Sequence, residues 1–182
     1  LELMRSHITE KDFSNEIWLL EHPPVFTLGT AADNSHILDP KDIPVVQSDR
    51  GGEVTYHGPG QLVIYFLLDI KKLGCGPTKL VVSIQEFIKE LLSDLSIESS
   101  FIKGAPGVYV NDKKIASIGL RISKNKTYHG ISINFDMDLK PFTYINPCGY
   151  EGLEVTQIKD FNRNISKLQL EELVIEKLRH IF

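Results

Sequence analysis

Apolar positions recur three or four residues apart from about residue 79 to 95. Leu80, Ile84, Phe87, Ile88, Leu91, Leu92 and Leu95 make one stripe, which predicts an amphipathic helix. Thr78, just after Pro77, stands where an N-cap is expected. A second helix is expected over residues 167–180. Ser166 and Gln169 have capping-box spacing there, and Leu170, Leu173, Val174, Ile175 and Leu178 supply the apolar side. Elsewhere the pattern is that of strands. The apolar run at residues 17–20 stops at His22-Pro23-Pro24, and residues 25–28 offer another. Residues 61–70 are almost continuously apolar and rich in Val, Ile, Tyr and Phe, as in a strand buried on both faces. Residues 107–110, a turn at Asn111-Asp112 and residues 115–122 read as a hairpin. After a second turn at residues 123–126, Tyr128, Gly130, Ser132 and Asn134 alternate with His129, Ile131, Ile133 and Phe135, which is strand periodicity. Strands interrupted by helices, without strict βαβ alternation, predict an α+β (α/β) protein: a mixed β-sheet flanked by helices.

Length and charge narrow this picture. A chain of 182 residues suits one domain, residues 1–182, with a substantial core. The formal charge of −4 argues against an overall electrostatic grip on nucleic acid. No apolar run reaches the ~18 residues a membrane span needs. The start, Leu1-Glu2-Leu3-Met4-Arg5, reads as lacking a signal peptide, and its missing initial Met leaves the true N-terminus open. The two cysteines, Cys75 and Cys148, do not form the pattern of a secreted disulfide framework. The cytoplasm is the expected location.

Four segments carry chemistry. The first is Arg50-Gly51-Gly52-Glu53-Val54-Thr55-Tyr56-His57-Gly58-Pro59-Gly60-Gln61. Its glycines imply unusual backbone or the close approach of another group, in a plain turn or in a site. It lacks the spacing of a phosphate loop. The second is Lys114-Ile115-Ala116-Ser117-Ile118-Gly119. A lysine beside a hairpin turn is ordinarily solvated, and alternation puts Lys113 and Lys114 on opposite faces, with Lys113 the natural surface residue. The third is His129-Gly130-Ile131-Ser132, where a strand histidine is more often structural than catalytic. The fourth is Asn146-Pro147-Cys148-Gly149, where proline and glycine fix the cysteine backbone and clear space beside the sulfur. Cys75, between Gly74 and Gly76, reads as a loop thiol. A free thiol titrates near about 8.5, so little is thiolate at neutral pH, and a nearby ammonium favours the thiolate. Thiol, amine and glycine-lined backbone together are a kit for acyl transfer. No metal-ligand spacing occurs, and the order of histidines and cysteine does not fit a papain-like hydrolase.

Taken in order, these four segments resemble the lipoyl(octanoyl) transferase family. Glu21-His22-Pro23-Pro24-Val25-Phe26-Thr27-Leu28-Gly29, Ala105-Pro106-Gly107-Val108-Tyr109 and Met137-Asp138-Leu139 leading to Pro141-Phe142 agree with it, and Ser132 departs from the alanine the family often has. The resemblance spans residues 17–158; the N-terminus looks shortened, which leaves the family's first helix in question. It implies a biotin/lipoate protein ligase-like fold, no cofactor and no metal. It also implies transfer of an octanoyl group from octanoyl-acyl-carrier protein to a lysine of lipoyl domains, in 2-oxoacid dehydrogenase complexes or the glycine-cleavage H protein. Cys148 would be the nucleophile and acyl-thioester site, and Lys114 its proton partner. Arg50, Gly51, Gly52, Glu53, Val54, Thr55, Tyr56, His57, Ser117, Ile118, Gly119, Gly130, Ile131 and Ser132 would line the acyl pocket, with His129 in support. Backbone N–H groups near Cys148 or in the glycine-rich segments would receive the oxyanion. Lys71, Lys72, Arg121, Lys124 and Lys126 are candidates for docking an acidic carrier. Rival readings are an ATP-dependent lipoate or biotin ligase, although the biotin-ligase Gly-Arg-Gly-Arg run is absent, a transferase using lipoyl donors, and a non-catalytic acyl-binding module.

Overall fold

The stripe at residues 79–95 forms helix α2 (Pro77–Asp94) in a computed structural model that describes residues 1–181. Leu80, Ile84, Phe87, Ile88, Leu91 and Leu92 are all buried. Each contributes roughly 2 kcal/mol by leaving water. The helix starts two residues before the expected point. Gly76, not Thr78, is the N-cap, and it makes no side-chain cap bond. Pro77 takes the first turn instead, because its fixed φ suits a helix and no intrahelical bond needs its missing N–H. The C-terminal helix α3 (Lys167–Ile181) has the expected capping box: Ser166 and Gln169 each accept from the other's backbone N–H, at 3.2 and 2.8 Å.

Among the described residues, nine strands form two sheets. The chain runs through α1 (Glu2–Thr9), β1 (Glu16–Leu20), β2 (Val25–Leu28), β3 (Val45–Gln47), β4 (Thr55–His57) and β5 (Gln61–Leu67) before α2. After it come β6 (Ser100–Ile102), β7 (Ala105–Val110), β8 (Lys113–Ser123) and β9 (Lys126–Asn134). The large sheet has the order β1-β5-β9-β8-β7-β6, and every neighbouring pair is antiparallel. The small sheet, β3-β2-β4, is mixed: β2 runs parallel to β3 and antiparallel to β4. The expected α+β architecture is present, with parallel pairing between β2 and β3 of the small sheet and in an isolated bridge between Lys114 and Val155.

The main core lies between the large sheet and helices α2 and α3. It joins Leu62, Ile64 and Phe66 of β5 and Ile131 and Ile133 of β9 to Leu170, Val174 and Leu178 of α3. A smaller core beneath the small sheet holds Phe26, Leu28, Val54, Tyr56, Met137, Phe142 and Ile145. Cover on both faces explains why β5 is apolar at nearly every position although its partners are antiparallel.

Helix α1, which the pattern of the chain did not reveal, packs Met4 and Ile8 with Phe13, Leu67 and Tyr128. Lys126 Nζ donates to the Ile8 carbonyl at 2.7 Å and lies 4.2 Å from the Phe13 ring centroid. Lys126, expected as a docking residue, is thus engaged in holding α1, whereas Lys71, Lys72, Arg121 and Lys124 are exposed.

Candidate active site

Strand β8 carries one residue more than β7 at their contact. Val108 pairs with Ala116, but Tyr109 pairs with Lys114, which leaves Ile115 as the extra residue of a β-bulge. Ile115 and Ala116 both enter the main core. Lys114 is therefore turned to the other face, and its backbone bonds the chain at Glu154 (2.9 Å) and Thr156 (3.0 Å). Its side chain is 2% exposed, and Nζ donates to Cys148 Sγ at 2.8 Å. Nζ also lies 5.4 Å from the Tyr109 ring centroid. The surface reading holds for Lys113, which pairs with Glu154 at 3.3 Å, and fails for Lys114.

Cys148 sits in the left-handed region, at φ 58° and ψ 21°. Its N–H donates to the Val54 carbonyl at 3.1 Å, that of Gly149 to Asn146 at 3.0 Å and that of Tyr150 to Pro147 at 3.1 Å. These bonds fix the turn that presents the sulfur. They also occupy the backbone donors nearest to it, so the expectation of backbone oxyanion donors narrows to the glycine-rich segments.

Cys148 opens on a cavity of about 370 Å³ between the two sheets. Two cross-strand rows line it. Val63, Ser132 and Ser117 stand side by side on β5, β9 and β8, and Tyr65, Gly130 and Gly119 form the next row. Ile118, Ile131 and His129 complete this side, while Arg50, Gly52, Glu53, Val54, Thr55 and His57 face it from the loop and β4. Leu1 and Met4 close on it from the N-terminal segment. Two expected pocket residues serve elsewhere. Tyr56, between Thr55 and His57 in β4, points by alternation into the small core, with its ring 5.4 Å from Phe26 and 5.5 Å from Phe142. Gly51 ties the loop to β8 through its N–H and the Leu120 carbonyl, at 3.2 Å.

Arg50 organises this loop. Its guanidinium donates to Thr27 Oγ1 (3.1 Å) and to the carbonyls of Gly51 (2.9 Å), Thr27 (2.6 Å) and Glu53 (2.6 Å). Glycines make room for it: a Cβ added at Gly29 would lie 2.8 Å from Nη1, and one at Gly119 would lie 3.2 Å from Cδ. All four bonds end on neutral oxygens. Burial draws the Arg50 pKa down to about 10, with Cys148 and Glu53 opposing the shift. The side chain thus remains cationic at neutral pH, a positive charge in the wall that Cys148 shares.

The histidines are neutral there. His57 Nδ1 faces Gln61 Oε1 at 2.7 Å, while Gln61 Nε2 donates to Asn134 Oδ1 at 2.9 Å. That network makes Gln61 Oε1 the acceptor and puts the proton on His57 Nδ1. Burial pushes the His57 pKa down to about 3. His129, at φ 58°, faces Asp49 Oδ1 through Nε2 at 2.8 Å, and burial lowers its pKa as well. His22 Nε2 meets Tyr65 Oη at 2.6 Å. Neither His57 nor His129 is an acid at neutral pH, which suits orienting roles. Asp49 was not singled out in the sequence, and Thr27 entered only as one residue of the Glu21–Gly29 motif. Asp49 lies 80 positions from His129, and no local motif marks it. Among the described residues, no cluster of His, Cys, Asp and Glu is arranged to hold a metal ion, and no helix is long and apolar enough to cross a membrane.

Comparison with known proteins agrees with this geometry. Residues 2–179 match the family model for the lipoyl protein ligase A/B catalytic domain. The octanoyltransferase of Hahella chejuensis is 54% identical over 157 residues, which cover 86% of this chain and 70% of that protein. That of Vesicomyosocius okutanii is 48% identical over 172 residues, 94% of this chain and 83% of that protein. Among solved structures, a putative lipoate protein ligase from T. acidophilum superposes with a TM-score of 0.77 at 15% identity, over 98% of this chain and 75% of its own. A lipoate-protein ligase A bound with ATP gives 0.71 at 14% identity, over 98% and 76%. At those identities the structures establish a common fold.

Proposed function

This chain belongs to the lipoyl protein ligase A/B catalytic-domain family, and on that premise we propose that it is an octanoyltransferase of protein lipoylation that works through an acyl-thioester on Cys148. The observation that carries the proposal is the 2.8 Å contact between Lys114 Nζ and Cys148 Sγ at the wall of an acyl-sized cavity. The donor is octanoyl-acyl-carrier protein. The acceptors are lysines of lipoyl domains in 2-oxoacid dehydrogenase complexes and of the glycine-cleavage H protein, and the setting is the cytoplasm. Residues 1–182 act as one catalytic domain.

With the shared proton on Lys114, the Cys148 sulfur attacks the donor thioester carbonyl. The S–acyl bond to Cys148 forms, the bond to the carrier breaks, and the carrier leaves as its thiol, taking the proton from Lys114. This exchange of one thioester for another is nearly balanced and requires no ATP. In the second half, the acceptor lysine amine attacks the acyl-enzyme: the amide C–N bond forms, the S–acyl bond breaks and releases the Cys148 thiolate, Lys114 takes the amine proton so that the starting pair is restored, and amide formation drives the step. The Arg50 charge and the Lys114 ammonium favour the negative charge that develops near the sulfur.

The octanoyl tail lies along the Val63–Ser132–Ser117 and Tyr65–Gly130–Gly119 rows. Each methylene buried contributes about 0.8 kcal/mol. Met4, at the end that α1 covers, limits chain length by overpacking, which costs about 1–3 kcal/mol.

A ligase activating free octanoate with ATP has the same fold, and a non-catalytic acyl-binding module would keep the same cavity. Neither calls for a buried lysine in contact with a half-buried cysteine. Intact mass after incubation with octanoyl-carrier protein, without ATP, separates the three. An adduct of one octanoyl group, absent in Cys148→Ser and chased off by a lipoyl domain, is expected. Transfer only from free octanoate with ATP would place the protein with the ligases, and binding without transfer would make it a module.

A further inference from the structure

Lys114 reaches Cys148 through a lane that β7 leaves open. A Cβ added at Gly107 would stand 2.5 Å from Lys114 Cε, 3.3 Å from Nζ and 2.6 Å from the Ala116 carbonyl oxygen. The first and last are far inside van der Waals separation. Gly107 also has φ of +140°, which glycine alone adopts without strain. The missing side chain and the bulge at Ile115 act together. The bulge turns the lysine to the face that carries the thiol, and Gly107 leaves space for its methylenes. Tyr109 bounds the same lane, its ring held by a bond from Oη to the Ala105 carbonyl at 3.1 Å.

We infer that Gly107 is a positioning residue for the Lys114–Cys148 pair: the absence of its side chain sets how closely the ammonium approaches the sulfur. This rests on the reading of that pair as the catalytic dyad. Gly107 touches no substrate and acts only through the position of Lys114.

The test is alkylation of Cys148 by iodoacetamide, followed by intact mass from about pH 5 to pH 9. A Cys75→Ser background removes the other thiol. Gly107→Ala, Lys114→Ala and the double variant are compared. Gly107→Ala is expected to slow alkylation at neutral pH about tenfold, to the level of Lys114→Ala, with the double variant no slower. In transfer assays kcat falls while the donor KM holds. An alkylation profile like that of the parent, or losses that add in the double variant, would overturn the inference. If Gly107→Ala fails to fold, the double variant decides. Recovery of folding once the Lys114 side chain is gone supports the inference, whereas a double variant that is also unfolded shows that Gly107 serves the backbone alone. Lys114→Ala with unchanged alkylation would sink the dyad reading itself. A Lys114 effect without a Gly107 effect overturns only the positioning role.

Discussion

His129 Nε2 lies 2.8 Å from Asp49 Oδ1, and Asp49 Oδ2 accepts from Tyr128 Oη at 2.6 Å and from Arg5 Nη2 at 2.8 Å. One carboxylate therefore links the cavity wall to α1. Burial alone would raise the Asp49 pKa, but the donors from His129, Tyr128 and Arg5 hold it well below the usual carboxylate range. Asp49→Asn is expected to cost about 2 kcal/mol, the scale of a hydrogen bond to a charged group. Urea melts measure this. Arg5→Ala should cost less, because the Arg5 side chain is 52% exposed. Equal stability of Asp49→Asn and wild type would mean that α1 is held without this link.

Met4 is buried, lines the cavity and accepts the His129 N–H at its sulfur, at 3.4 Å. Met4→Ala lengthens the space available to the acyl tail. The expected result is a shift of kcat/KM toward decanoyl over octanoyl donor by about tenfold, the scale of pocket discrimination for methylenes. Competition between the two donors, read by mass of the acyl-enzyme, gives the ratio. An unchanged ratio in a folded variant would place the end of the tunnel elsewhere.

Arg50→Lys keeps the charge and loses the fork. One ammonium cannot serve Thr27 and the Gly51 and Glu53 carbonyls together, so buried acceptors go unpaired at about 1–3 kcal/mol. Thermal melts should fall by that scale. Activity should fall further than stability accounts for, because the loop that faces Cys148 loses its brace.

Acid sensitivity follows from His57. Its folded pKa is pushed down to about 3, whereas in the unfolded chain it titrates near about 6.5. Between those values the unfolded chain binds the extra proton, so stability rises with pH. Its contribution is complete above about pH 6.5 and is lost progressively as pH falls to the folded value of about 3. His22 and His129, also lowered by burial, add to the same slope. Urea melts across this window should show the loss, and His57→Gln should flatten it. A slope unchanged by His57→Gln would assign the acid sensitivity to other groups.

Local pattern carried the helices α2 and α3, because a stripe and a capping box depend on residues three or four apart. It carried β9 for the same reason, with a period of two. The burial of Lys114 was not legible: alternation separates it from Lys113, but the face it takes depends on a bulge formed against β7. Tyr56 was grouped with the cavity because the resemblance carried over the Arg50–His57 motif as a block, and β4 is only three residues long inside that glycine-rich loop. Once that strand is recognised, alternation sends Tyr56 to the small core. Helix α1 has a short apolar side and finds its partners, Asp49 and Lys126, far along the chain. The resemblance to a family supplied the pairing of Lys114 with Cys148, which spacing alone does not give.

The left-handed backbone at Cys148 limits which nucleophiles this turn can host. A β-branched side chain crowds its own main chain there, so threonine is disfavoured by about 1–3 kcal/mol although it offers a reactive hydroxyl. Serine fits the backbone but lacks sulfur's acidity, and glycine relaxes the turn but has nothing to attack with. Cysteine adopts this conformation and brings to Lys114 a thiol far more acidic than a serine hydroxyl. If Cys148 is the nucleophile proposed above, the geometry of this one turn adds a backbone restriction to the chemical one on what can replace it.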